Sequence, residues 1–106
     1  MFVVVLITCP DREMAERIAR ALLEERLAAC VNITGPLSSL FWWEGRIDRA
    51  EEFLLLVKMR FNLLEKLVAR VRELHPYEVP EVMALPIVGG SEDYLAWLGE
   101  ETRSGA

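Results

Sequence analysis

The chain has little of what usually carries metal and nucleophilic chemistry. Histidine occurs once, as His75, and cysteine twice, as Cys9 and Cys30, in 106 residues. Closed metal sites draw several His and Cys ligands at short fixed spacings, and neither CxxC nor HxxxH occurs here. Two cysteines are too few for a disulfide framework and read as free thiols of a cytoplasmic protein. Positive charge is also in deficit: 12 Lys and Arg face 17 Asp and Glu, a net charge of −5. That argues against a nucleic-acid partner, which needs clustered basic residues. No apolar run approaches the roughly 20 residues that span a bilayer, so no membrane partner is expected. Met1-Phe2-Val3-Val4-Val5-Leu6-Ile7 lacks a positive leader and a small-residue cleavage site, and reads as a strand rather than a signal peptide.

Apolar residues, by contrast, make up 53% of the chain, above the roughly 45–50% of an ordinary soluble domain. Residues 1–106 are expected to form one domain, with the surplus apolar surface buried against other copies of the chain. The pattern gives a strand over Phe2–Thr8, a β-branched run expected to be covered on both faces. Pro10-Asp11 opens a helix with Met14, Ala15, Ile18, Ala19, Ala21 and Leu22 on its apolar side, continuing to Leu27. A second strand starts near Ala29, is interrupted at Gly35-Pro36, and resumes from Leu37 to Trp43. Glu44-Gly45 is the turn into a third strand, Arg46–Arg60. Each arm of this hairpin is about twice the usual 5–6 residues. Such arms outrun the cover a small protomer can supply, and exposed strands invite pairing in a symmetric oligomer.

Asn62–Leu74 is expected as the second helix, with Asn62 and Glu65 as a capping box and Leu64, Leu67, Val68, Val71 and Leu74 as its buried stripe. Glu81–Val88 follows as strand four, closed by Gly89-Gly90. Ser91 caps a last helix with Leu95 and Leu98 as core contacts, and Ser104-Gly105-Ala106 is expected to fray. Two strand-helix-strand halves around a central hairpin give an α+β fold, the ferredoxin-like split βαβ sandwich, with both helices on one face of an antiparallel sheet.

Between helix two and strand four lies His75-Pro76-Tyr77-Glu78-Val79-Pro80-Glu81. Pro76 and Pro80 donate no backbone hydrogen bond and hold the preceding residues extended. The segment is a stiff connector that presents an imidazole, a phenol and two carboxylates, and such loops concentrate function.

Several motifs in order resemble the CutA divalent-cation tolerance family, from Val4 to Leu98. They are Pro10-Asp11, Leu27-Ala28-Ala29-Cys30-Val31-Asn32-Ile33, Trp43-Glu44-Gly45, Lys58, the connector itself, and Tyr94-Leu95-Ala96-Trp97-Leu98. Phe41, Lys58-Met59 and Gly35-Pro36 depart from the family's Tyr, Lys-Thr and Pro-Gly at those places. The resemblance implies a ferredoxin-like protomer in a homotrimer, with hairpins of neighbours pairing. It also implies a part in tolerance of copper and other divalent ions, with no cofactor required and Cu(II) or another divalent cation as the bound ion.

Copper favours imidazole and thiolate ligands. On that ground His75, Cys30, Glu78 and Glu81 are the candidate metal ligands, provided the fold or a neighbouring subunit brings them together. A plain alternative for His75 is a hydrogen bond at the helix end, and for Cys30 a small buried hydrophobe. Cys9, at a strand-to-helix turn, is the thiol expected to be reactive. A second reading follows from the likeness of trimeric ferredoxin-like proteins to PII signal proteins. Asn32, Trp43, Lys58 and Tyr77 would then line a ligand cleft between subunits. Phe41-Trp42-Trp43 is expected to pack on a neighbouring subunit. No Ser-His-Asp constellation is visible, and Glu78 and Glu81 lie in an extended segment, so no catalytic residue is assigned and no enzyme is expected.

Overall fold

A computed structural model describes residues 1–103; Ser104-Gly105-Ala106, the expected frayed end, lie outside the described residues. The elements in order are β1 (Phe2–Cys9), α1 (Arg12–Glu24), β2 (Cys30–Trp43), β3 (Arg46–Arg60), a single 3-10 turn (Phe61–Leu63), α2 (Leu64–Leu74), β4 (Val82–Pro86) and α3 (Glu92–Glu101). The four strands form one antiparallel sheet in the order β2-β3-β1-β4. This is the expected split βαβ arrangement with an extra C-terminal helix.

Alternation along the strands decides the core. Val3, Val5 and Ile7 of β1 and Leu55, Val57 and Met59 of β3 are buried with Ala15, Ile18, Ala19 and Leu22 of α1 and Leu67 and Val71 of α2. The other face carries Val4, Leu6, Leu54 and Leu56 half-buried, with Met83 and Leu85 exposed. The expected cover on both faces of β1 is therefore complete on one face only, because α1 and α2 both lie on that side.

Helix ends follow local chemistry. Asp11 caps α1 by accepting the Met14 N–H at 2.7 Å, satisfying a donor the helix leaves free. At the other end Arg26 has φ +59, and the N–H groups of Arg26 and Leu27 return to the carbonyls of Leu23 and Leu22. These two bonds make a Schellman motif with arginine where glycine is usual. The Asn62–Glu65 capping box does not form. The chain takes the 3-10 turn first, so the cap position falls on Leu63, which has no side-chain bond to offer. β4 is shorter than expected and stops at Pro86, which has no N–H to extend the ladder. Ser91 caps α3 as expected, and Leu98 is fully buried. Arg60 holds that helix: its guanidinium donates to the Gly99 carbonyl at 2.6 Å and to the Thr102 hydroxyl at 3.2 Å. A cation there also meets the negative helix end.

β1 ends where Cys9 pairs with Phe53. Beyond it β2 and β3 continue as a two-stranded arm of seven pairs, from Leu37 with Glu52 to Trp43 with Arg46. At the base of the arm the register shifts between Thr34 and Leu37. Gly35 sits in this bulge at φ +147, and a Cβ there would lie 2.9 Å from the Phe53 ring and 3.1 Å from the Glu52 carbonyl. At the tip Glu44 and Gly45 have φ +49 and +82, the signs a type I′ hairpin turn requires. Leu40, Phe41, Trp42, Trp43 and Ile47 of the arm are exposed.

Candidate functional site

The connector starts where α2 stops. Pro76 forces His75 into extended backbone, observed as φ −77 and ψ 136, and the ring swings under the sheet end. His75 is buried, with Nε2 2.7 Å from the Thr8 carbonyl oxygen and Nδ1 3.1 Å from the Tyr77 backbone nitrogen. A carbonyl oxygen only accepts, so Nε2 carries the hydrogen and Nδ1 accepts the Tyr77 N–H. Both nitrogens are engaged, and together they pin the connector to the end of β1.

Tyr77 packs against this ring at a tilt of 52°, centroids 4.7 Å apart, and its hydroxyl donates to Glu52 Oε2 at 2.8 Å. Glu52 is only 5% exposed. Burial, then the Glu52 hydrogen bond and charge, push the Tyr77 phenol up to about 12. Burial, then the charges of Glu52 and Asp11, push the Cys9 thiol up to about 12. Cys9 is fully buried and is therefore not the reactive thiol its place in the sequence suggested: burial, with two carboxylates nearby, keeps the thiol protonated. Thr8 and Glu52 are the residues sequence reasoning missed. The carbonyl of Thr8 has no side-chain signature. Glu52 stands 25 residues from Tyr77, a separation that no spacing rule connects.

Glu78 and Glu81 lie on the same connector, both exposed. Cys30 is elsewhere. It pairs with Lys58, whereas Thr8, beneath His75, pairs with Leu54; four residues of strand amount to about 13 Å. Among the described residues no three His, Cys, Asp or Glu side chains gather as a metal site. Within one protomer, the four candidate ligands thus divide into three on the connector and one on β2.

The four cleft candidates divide further. Trp43 is at the hairpin tip opposite Arg46, Tyr77 is on Glu52, and only Asn32 and Lys58 meet. Lys58 Nζ bonds Asn32 Oδ1 and lies 3.7 Å from Cys30 Sγ, whose thiol points to Asn32 Oδ1 at 4.0 Å. Tyr94 of α3 adjoins the group, and burial followed by the presence of Cys30 pushes its phenol up. Within one protomer the four do not form a single cleft, and the PII-like reading is not favoured.

A family model described as CutA1 divalent ion tolerance protein matches residues 3–101. The chain belongs to the CutA1 family. It is similar to the divalent-cation tolerance protein CutA of Thermus thermophilus, 54% identical over 99 residues that cover 93% of this chain and 96% of that protein. It is 47% identical over 102 residues to a chloroplastic CutA protein of Arabidopsis thaliana, of which it spans 56%. The solved structure of the Thermus thermophilus divalent cation tolerance protein superposes with a TM-score of 0.95 at 54% identity, covering 96% of this chain and 99% of that one. The four-stranded antiparallel sheet with three helices is thus the CutA1 fold.

Proposed function

We propose that this protein serves divalent-cation tolerance by binding the ions directly, as a homotrimer in the cytoplasm and with no chemical step of its own. The observation that carries the reading is the CutA1 match across nearly the whole chain, residues 3–101. Copper is the ion proposed. Glu78 and Glu81 are exposed carboxylates on a connector that His75 and Tyr77 hold rigid. A rigid backbone lowers the ordering cost of placing ligands. Coordination by His75 itself requires Nδ1 to give up the Tyr77 N–H, so the carboxylates lead and His75 positions them. Donors from a neighbouring subunit complete the set.

The trimer is supported by the arm. An isolated two-stranded ribbon is marginal in water, and this one exposes five large apolar side chains. The proposal is tested by calorimetric titration of Cu(II) into the wild type and into the Glu78→Gln/Glu81→Gln pair. Saturable binding that weakens about ten-fold or more in the double variant supports the ligand set. Equal affinity in both proteins removes these carboxylates from the site.

A further inference from the structure

The connector is tethered at two points that belong to different parts of the sheet. His75 Nε2 donates to the Thr8 carbonyl. Thr8 lies in the three-stranded body, opposite Leu54, which is itself opposite Thr34. Tyr77 donates instead to Glu52, the first residue of the two-stranded arm, opposite Leu37 and beyond the end of β1. Among the described residues the buried Glu52 carboxylate takes its one side-chain hydrogen bond from Tyr77. An unpaired buried acceptor is costly, so the two side chains move together.

The arm meets the body through an irregular joint. The register shifts between Thr34 and Leu37, and Gly35 stands within the shift at φ +147. Beyond the joint, alternation puts exposed apolar side chains on both faces of the ribbon: Leu40, Trp42 and Ile47 on one, Phe41 and Trp43 on the other. Such a ribbon is held weakly in a lone protomer and firmly once a second copy covers it. The Tyr77 tether therefore follows the arm, while the His75 tether follows the body. Glu78 is next in the chain to Tyr77, and Val79 and Pro80 carry the connector on to Glu81.

We propose that Glu52 and Tyr77 couple subunit assembly to cation binding, given that Glu78 and Glu81 hold the ion in a homotrimer as proposed above. The two-state element is the arm, free or covered. A covered arm fixes Glu52, Glu52 fixes Tyr77, and Tyr77 fixes the stretch that bears the two carboxylates. Linkage makes the effect reciprocal: the ion steadies the arm by the same factor by which assembly favours the ion. Tyr77 is a positioning residue and not itself a ligand.

Hydrogen exchange read by peptide mass spectrometry tests the coupling in the wild type, Tyr77→Phe and Glu52→Gln, each without and with saturating Cu(II). In the wild type, Cu(II) should slow exchange about five-fold or more in the arm, residues 37–43 and 46–52, which lie outside the proposed ion ligands. Tyr77→Phe keeps both carboxylates and the ring. It should lose most of the slowing in the arm and keep it in the connector. Glu52→Gln, whose amide oxygen still accepts the phenol, should retain the slowing in the arm. Slowing confined to the connector of the wild type, or equal slowing of the arm in Tyr77→Phe, overturns the coupling alone. An absence of saturable Cu(II) uptake by the wild type overturns the function proposed above and the coupling with it. If Tyr77→Phe does not fold, Trp43→Ala reads the coupling from the other end: its Cu(II) affinity should fall about five-fold, and an unchanged affinity overturns the coupling.

Discussion

The hydroxyl of Tyr77 donates to the buried carboxylate of Glu52 over 2.8 Å, tying the proline-bounded connector to the base of the hairpin arm. The pair exists because β1 ends at Cys9 opposite Phe53. The next β3 residue, Glu52, is left without a β1 neighbour, and Tyr77 fills that place.

Tyr77→Phe keeps the ring against His75 and deletes the donor. A buried acceptor left unpaired costs roughly 1–3 kcal/mol, more when charged. Urea unfolding should show a lower midpoint at unchanged slope. An unchanged midpoint would mean that water replaces the phenol fully.

Alkaline pH should act through Cys9 and Tyr77. Their folded-state values near 12 stand above the ordinary 9.0 and 10.0. Below these ordinary values both states keep the protons and the stabilisation is fully present. As pH rises towards 12, the unfolded chain releases protons that the folded chain retains, so stability falls. Cys9→Ala should remove the earlier part of the fall, beginning near 9.0, and Tyr77→Phe the later part. Thermal unfolding measured from neutral pH upwards checks this. Identical alkaline profiles for all three proteins would contradict it.

Gly35→Ala should be costly. The backbone is at φ +147, and a Cβ would press on Phe53 and the Glu52 carbonyl. Strain of this kind costs roughly 1–3 kcal/mol, with steric overlap added. Chemical unfolding should register the loss. A variant as stable as the wild type would show that the bulge relaxes freely.

Trp43→Ala should weaken the proposed trimer more than the protomer. In the protomer Trp43 is 48% exposed, so truncation removes little of the protomer core. At a subunit interface an anchoring Trp is worth roughly 2 kcal/mol or more. Light scattering over a dilution series should show earlier dissociation, with far-ultraviolet dichroism unchanged. Equal dissociation would place this side chain in solvent.

Much of this fold is legible in the sequence, for stated reasons. The β-branched run of β1, the Glu44-Gly45 turn and the Asp11 and Ser91 caps are local signals, and local chemistry decides them. The Asn62–Glu65 cap failed because a 3-10 turn moves the helix start by two residues. The candidate site is less legible. His75 and Tyr77 stand out as rare residues between prolines, but their partners Thr8 and Glu52 come from distant strands through register alone. The burial of Cys9 is illegible for the same reason. Proximity to a helix end is visible in sequence; depth of burial and the Glu52 carboxylate on the neighbouring strand are not.

Native mass spectrometry of the purified protein, with and without stoichiometric Cu(II), tests divalent-cation binding by an assembled CutA1 protein most directly. The expected result is a trimer that takes up a fixed, saturable number of ions. A monomer, or a trimer with scattered adducts that never saturate, would contradict it.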